Sequence, residues 1–394
     1  MNYILYDTSK RINLLPLTFL RPTADIRIGI LTIREKWEKY LDAKTSSLTE
    51  DYLSKKFPLV IGHENILING SVCPSKKLLE KISTLKLKEA IVYNGEVIAF
   101  MSETVKEHTL FKDLDDYQRV DFTDPLIVLE NSWDIFVRNG EALIQDFHLL
   151  KLGKHTNEIR NCTYIGSGEN IYIHPSATIN YAILNATNGP IYIDEGAEIM
   201  EGAMIRGPFY LGKHSQVKMG AKIYGPTTIG PYCKVGGELN NVVMFAYSNK
   251  GHEGFLGNAV IGEWCNIGAD TNNSNLKNTY DDVRLWSYGK RTFVDTKLQF
   301  CGLIMGDHSK TGINTMFNTG TVVGIASNVF GSGYQRNFIA SFSWGSPSKM
   351  IDHKLDRAIL TAEQVYSRRE MTFTEIDRGL FSHIFELKQK DHQI

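Results

Sequence analysis

Every sixth residue from Ile193 to Val235 is aliphatic: Ile193, Ile199, Ile205, Leu211, Val217, Ile223, Ile229 and Val235. The residues that follow them are often small, polar or flexible, among them Asp194, Gly212, Lys218, Gly230 and Gly236. A period of six matches neither the 3.6-residue repeat of an amphipathic helix nor the alternation of a half-buried strand. It matches a triangular parallel β-helix, in which six residues make one short strand and one turn, and three such units close a coil. The aliphatic member of each hexad then points inward, and successive coils stack at about 4.8 Å, the ordinary strand spacing. Ile173 and Ile179 already keep the hexad spacing, with a bulged turn at Asn185–Gly189 before the regular run. The register returns at Ile261 and Ile267, and in another frame at Phe293, Met305, Phe317, Val323 and Val329. Two irregular stretches, about 237–255 and 270–292, interrupt it. Loops that leave a rigid solenoid are where its chemistry is usually mounted.

The first 150 residues have another texture. Tyr3–Tyr6 is a short apolar run suited to a buried strand, as are Asn65–Asn69 and Ala90–Tyr93. Ile30–Leu41 carries helix-spaced apolar residues at Ile33, Trp37 and Leu41, and Ser75–Ile82 reads as a helix capped by Ser75. Strands alternating with helices predict an α/β domain around a mostly parallel sheet. The chain changes over to the solenoid between roughly 150 and 165. After Pro347, apolar residues at Leu355, Ala358, Ala362, Val365, Ile376, Leu380 and Ile384 recur at helical intervals. They predict two helices joined near Thr372 and packed over the end of the solenoid, whose last coil would otherwise expose a sheet edge. The expected division is residues 1–150, 151–345 and 346–394.

Composition narrows the function classes. The 394 residues carry a formal net charge of −1, so no field draws the chain to nucleic acid. Five cysteines, Cys73, Cys162, Cys233, Cys265 and Cys301, are scattered without a CxxC pair. That usage fits a reducing cytoplasm and argues against structural zinc. The opening MNYILYDTSK lacks the basic flank and long apolar run of a signal peptide, and no segment approaches a membrane span. The expectation is a soluble cytoplasmic protein.

Three segments resemble the sugar-1-phosphate nucleotidyltransferases, which join a sugar phosphate to a nucleotide. Leu15–Pro22, LPLTFLRP, is similar to their "RPLTxxRPKP" signature, and Asn65–Ser71, NILINGS, to the strand ending in "NGD". Asn131–Asn139, NSWDIFVRN, resembles the "WDLLxAN" segment that leads to a β-helix in members that have one. The departures are specific. The family's glycine-rich phosphate cradle, where backbone N–H groups converge on phosphate oxygens, is replaced by Asp7-Thr8-Ser9-Lys10-Arg11, and the first glycine is Gly29. The lysine of "RPKP" is Thr23. The metal-binding aspartate of "NGD" is Ser71, which lacks the charge that Mg²⁺ coordination favours, so the metal site is left open. Arg21, Asp25, Arg27 and Lys36 are candidates to hold a sugar phosphate by charge-assisted hydrogen bonds. The alternative is that they make salt bridges in a fold that has lost its active site.

Gly251–Thr271, GHEGFLGNAVIGEWCNIGADT, is similar without a gap to the "GHLxYLGDAxIGxxxNIGAGT" block of the bifunctional GlmU family. Those enzymes fuse a glucosamine-1-phosphate acetyltransferase to a uridyltransferase, in the same domain order. The resemblance implies a left-handed parallel β-helix behind a Rossmann-like nucleotidyltransferase domain, acetyl-CoA as acyl donor, and a homotrimer. It places the general base on His252. An imidazole with an ordinary pKa near ~6.5 suits the removal of a proton from an amino sugar. The acceptor-binding asparagine falls on Asn275, and the tyrosine of "LxYLG" on Phe255, which lacks the hydroxyl. The family's phosphate-binding arginine and lysines have no counterpart in Ile223–Ile229 or Glu238–Val242, and Lys222 and Lys234 are near but not aligned. Three readings remain open: a bifunctional sugar-nucleotide enzyme using a sugar phosphate and NTP, an acyltransferase whose first domain only binds, or a non-catalytic trimeric scaffold.

Overall fold

A computed structural model describes residues 1–103, 105, 114–151 and 162–394. The predicted changeover at 150–165 lies largely outside these residues. Two compact units separate, one of residues 1–14, 20–26 and 31–130, the other of residues 15–19, 27–30 and 131–394.

In the first unit a six-stranded sheet runs in the order Thr45–Leu48, Asn2–Tyr6, Asn65–Asn69, Glu96–Ser102, Glu89–Tyr93, Gln118–Asp121. Glu96–Ser102 is antiparallel to both neighbours, which makes the sheet mixed. The other three pairings are parallel, so the sheet is mostly parallel, as the alternation of elements predicted, with a single reversed strand. Its cause is Asn94-Gly95, both with positive φ, a two-residue hairpin signal that turns the chain straight back. Ile4, Tyr6, Leu67, Ala90 and Phe100 share one buried cluster. The helix Ile33–Leu41 starts at a capping box of Thr32 and Glu35, and Lys76–Ser83 is capped by the Ser75 hydroxyl. Trp37 is fully buried, and its indole N–H donates to the carbonyl of Val72 at 2.7 Å.

The second unit is built on a parallel β-solenoid. All eight hexad aliphatics from Ile193 to Val235 are buried in one continuous core. Ile193 pairs with Leu211, Ile199 with Val217, Ile205 with Ile223, Leu211 with Ile229 and Val217 with Val235. Each partner lies three hexads further along the chain, so three hexads make one coil. One face of the wall carries nine strands, from Ile171–Ile173 to Phe338–Ile339, with Glu238–Met244 and Phe255–Ile261 each bending across a corner to serve a second face as well.

Beyond Val235 the coil length changes. Ile229 pairs with Met244 and Val235 with Lys250, so this coil is short by half a hexad. Residues 237–255 therefore do not leave the solenoid as the sequence predicted: Glu238–Met244 is a strand in its wall. The shortened coil moves the hexad frame, and Ile261 and Ile267 fall inside again. Ile261 then pairs with Met305, a step more than twice as long as a regular coil. The added chain is an excursion carrying an antiparallel hairpin, Arg284–Ser287 with Thr292–Asp295. Phe293 lies on that hairpin against Trp286, not in the solenoid interior where its spacing had placed it. Met305, Phe317, Val323 and Val329 are interior as expected.

Helices Leu355–Ser367 and Glu375–Lys390 form the C-terminal pair. They lie along one corner of the solenoid, not over its end. That corner presents a column of residues with positive φ, His214, Tyr232, Tyr247, Trp264, His308 and Phe342. Tyr232, Tyr247 and Trp264 stack in turn, and Tyr366 of the first helix stacks on Trp264 with ring centroids 4.0 Å apart. Phe381 of the second helix meets His308 and Phe342 edge to face. The end is closed instead by Lys349–Asp352, which pairs antiparallel to the last strand, Ser343–Ser346. This turns an open sheet edge into a hairpin.

The segment Asn131–Asn139 and the helix that follows it pack on the solenoid. Asn139 is fully buried; its Oδ1 accepts from Gly29 N at 2.8 Å and Thr228 Oγ1 at 3.1 Å, and its Nδ2 donates to Pro226 O at 3.1 Å.

Candidate functional site

The block Gly251–Thr271 makes one coil of the wall. Asn249–Lys250 is strand, Gly251–Gly254 bends, and Phe255–Ile261 is strand again. His252 sits in the bend with its side chain exposed.

The backbone of that bend is held from inside the solenoid. Lys250 occupies the interior position that continues Val235, and it is 1% exposed. Its Nζ donates to the carbonyls of His252 at 2.7 Å, Gly236 at 3.1 Å and Glu253 at 3.2 Å. An ammonium has three donors, and here each has an acceptor, which offsets part of the cost of burying it. Burial still pulls its pKa down to about 8. The neighbouring glycines are required by close approach. A Cβ on Gly237, at φ +72°, would lie 2.8 Å from both His252 O and Gly254 O. Gly254, at φ +112°, faces the carbonyl of Thr271 on the next coil.

Phe255 and Asn275 are brought together across Gly257. A Cβ there would meet the Phe255 ring at 2.5 Å and Asn275 Nδ2 at 2.8 Å. Asn275 Nδ2 donates to Asn258 Oδ1 at 2.8 Å. Asn272 Oδ1 accepts from Phe255 N at 2.7 Å, and Asn273 exchanges two bonds with Gly257, at 2.8 and 3.0 Å. The asparagine run thus stitches one coil to the strand that leaves the His252 bend. Lys250, Asn272 and Asn273 were missed in the sequence. For Lys250 and Asn273 the available signal was a polar residue at an interior position, hidden because the shortened coil shifts the frame; Asn272 is exposed and gave none.

The four N-terminal candidates are not gathered in one unit. Arg21 and Lys36 are buried in the first. Both carboxylate oxygens of Asp25 are engaged by Arg34, through Nε and Nη2 at 2.8 Å each. Arg27 belongs to the second unit, where its Nη1 donates to the carbonyl of Ile30. At the place of the family's phosphate cradle, Asp7 accepts from Thr23 N at 2.8 Å and Thr49 Oγ1 at 2.5 Å, and pairs with Arg11 at 3.2 Å. The chain goes directly into a short 3-10 helix, Ser9–Leu14. The amide and hydroxyl of Ser71 both donate to Asn69 Oδ1, at 2.9 and 2.8 Å. Among the described residues no group of three His, Cys, Asp or Glu is arranged to hold a metal ion. Ser71 brings no carboxylate to the position of the family's metal-binding aspartate, and its hydroxyl is spent on Asn69.

The class defined by this geometry is a mixed α/β unit joined in one chain to a parallel solenoid with hexapeptide coils. Residues 3–155 match the sugar nucleotidyl transferase family. Among solved structures the chain is similar to the polySia-specific acetyltransferase NeuO, at 15% identity over 53% of this chain and 94% of that one, with a TM-score of 0.24. It is similar also to an Arabidopsis UDP-N-acetylglucosamine acyltransferase, at 13% identity over 59% and 90%, with a TM-score of 0.22. A third is a hexapeptide transferase family protein from Anaplasma phagocytophilum, at 14% identity over 59% and 99%, with a TM-score of 0.19. No curated protein matches the chain. Among the described residues no helix is long and apolar enough to cross a membrane.

Proposed function

We propose that the solenoid transfers an acetyl group from acetyl-CoA to the amine of an amino sugar, with His252 as general base. The observation that carries this reading is the exposed imidazole on a bend clamped by Lys250 and Gly237, followed directly by the Phe255–Asn275 face. In the step, the sugar nitrogen attacks the thioester carbonyl while its proton passes to the imidazole. The new C–N bond forms, the C–S bond breaks, and the CoA thiolate takes up the proton. Asn275 and Phe255 border the acceptor in this scheme. The coils are read as left-handed, and three copies as packing side by side to complete the donor groove; a stable monomer in sedimentation at micromolar concentration would remove that part.

Replacing His252 by alanine should leave fold and assembly intact, because the side chain is outside the core. The rate should fall by about 10²–10⁴-fold, the usual contribution of a positioned base. Undiminished transfer in His252→Ala from about pH 6 to 9, with a substrate the wild type accepts, would refute the assignment.

For the N-terminal unit, the closed Asp7–Arg11 loop and the Asn69–Ser71 turn support a second element of the proposal: this unit keeps the frame of a nucleotidyltransferase as a binding module for a sugar phosphate or NTP. Incubation with sugar 1-phosphates, the four NTPs and Mg²⁺ should release no pyrophosphate above background.

A further inference from the structure

A cavity of about 400 Å³ opens on the flank of the solenoid beside the C-terminal helices. Its wall is the outward row Lys234, Asn249, Asn266 and Lys310, which pair in register on successive coils. Its rim is Arg368 and Arg369, at the end of helix Leu355–Ser367. Four cations line this space, and no carboxylate does. None of the four makes an ion pair with a described carboxylate. Lys310 Nζ and Arg369 Nη2 have only one carbonyl each, His308 O at 2.9 Å and Tyr232 O at 3.0 Å. Asn249 Oδ1 is buried with no partner.

Like charges gathered without a counterion repel, and the protein holds them together only at a cost. Burial depresses Lys234, and Arg369, Lys218 and Arg368 depress it further against a smaller opposing pull from Glu198, which does not line the cavity. Burial also brings Lys310 to about 8. Column packing fixes the arrangement, since Tyr366, two residues before Arg368, is stacked on Trp264. The faces of Trp264 are taken by Tyr247 and Tyr366, so no ring is free to stack on a planar ligand. What the cavity offers is charge and N–H donors: the lysine ammoniums, the guanidinium forks and the side-chain amides.

We propose that this cavity binds a compact polyanion, a phosphate or diphosphate group of a small molecule. The site uses none of the residues placed in acyl transfer and stands or falls apart from that reading. The probe is inorganic pyrophosphate, titrated calorimetrically into the full-length protein at fixed ionic strength. Parallel titrations use inorganic phosphate, a nucleoside diphosphate and a sugar 1-phosphate. Wild type should bind pyrophosphate saturably with one site per chain. The variant Arg368→Gln/Arg369→Gln should bind about 10–100-fold more weakly, the loss expected for one or two charge-assisted contacts. Both arginines lie at the helix end outside the core, and an unchanged melting temperature without ligand shows that the variant is folded. Lys234→Gln, on a different element, should weaken the same binding. Tighter binding of nucleoside diphosphate or sugar phosphate than of pyrophosphate identifies the source of the group. The proposal is overturned if wild type shows no saturable binding at millimolar pyrophosphate, if sulfate at equal ionic strength reproduces the heat, or if both variants bind like wild type.

Discussion

The coils from Ile193 to Val235 and those from Gly236 to Asn275 belong to one wall and obey different rules. In the first, every interior hexad position is aliphatic and every coil is three hexads long. In the second, the first coil loses half a hexad, and Lys250 and Asn273 stand at interior positions. The excursion that lengthens the following coil leaves the wall beyond Asn273. The regular coils derive their stability from a repeated apolar stack, which offers no polar group that could be turned to chemistry. The irregular coils exchange some of that stack for hydrogen bonds that fix one bend and one face. The proposed chemistry falls where the repeat is broken, on a bend whose carbonyls a buried lysine holds in place.

This contrast can be tested from both sides. The largest effect belongs to the irregular coil: the His252→Ala rate loss corresponds to roughly 3–5 kcal/mol of barrier, with little change in the denaturation midpoint. Ile223→Ala in the regular coils should do the reverse. Its side chain is 2% exposed, and its truncation should cost about 2–5 kcal/mol of stability; denaturant unfolding with an unchanged m-value measures it. A loss well below about 1 kcal/mol would mean that the stack relaxes around single deletions.

Lys250 sharpens the comparison through pH. Its folded-state pKa is lowered to about 8, whereas an unfolded lysine titrates near ~10.4. Between those values the unfolded chain binds more protons, so stability rises with pH across this window. Below about pH 8 both states are protonated and the penalty is present in full. Wild type should therefore gain on the order of 3 kcal/mol from this residue between about pH 7 and pH 10.5, and Lys250→Met should lose that gain. Lys310 titrates in the same window in both proteins and cancels in the difference. Equal slopes for the two proteins would show that Lys250 is hydrated and does not clamp the bend from within.

The smallest expected effect is at Gly237. Alanine there is strained at φ +72° and presses on the His252 and Gly254 carbonyls; a cost of about 1–3 kcal/mol is expected. Acetyl transfer should fall more than stability if the bend is the site, and the two should fall together if Gly237 serves only the fold.

The sequence by itself determined the solenoid, its interior residues from Ile193 to Val235, and the strand Asn65–Asn69 to the residue. Periodicity reads burial directly as long as coils keep one length. It also determined the two C-terminal helices, whose apolar spacing is local. Only the tertiary structure decided what depends on contacts between distant segments. Phe293 kept the hexad spacing yet lies on a hairpin, because an inserted excursion breaks the link between period and coil. The C-terminal helices run along an aromatic corner because left-handed corner residues, unevenly spaced in sequence, align in space. Lys250 reached the interior because a shortened coil slid the frame beneath it, and Asp25 is met by Arg34 from the first turn of the helix that follows it. A local pattern records which face of an element is buried; which distant residue fills the space opposite is settled only when the coils stack.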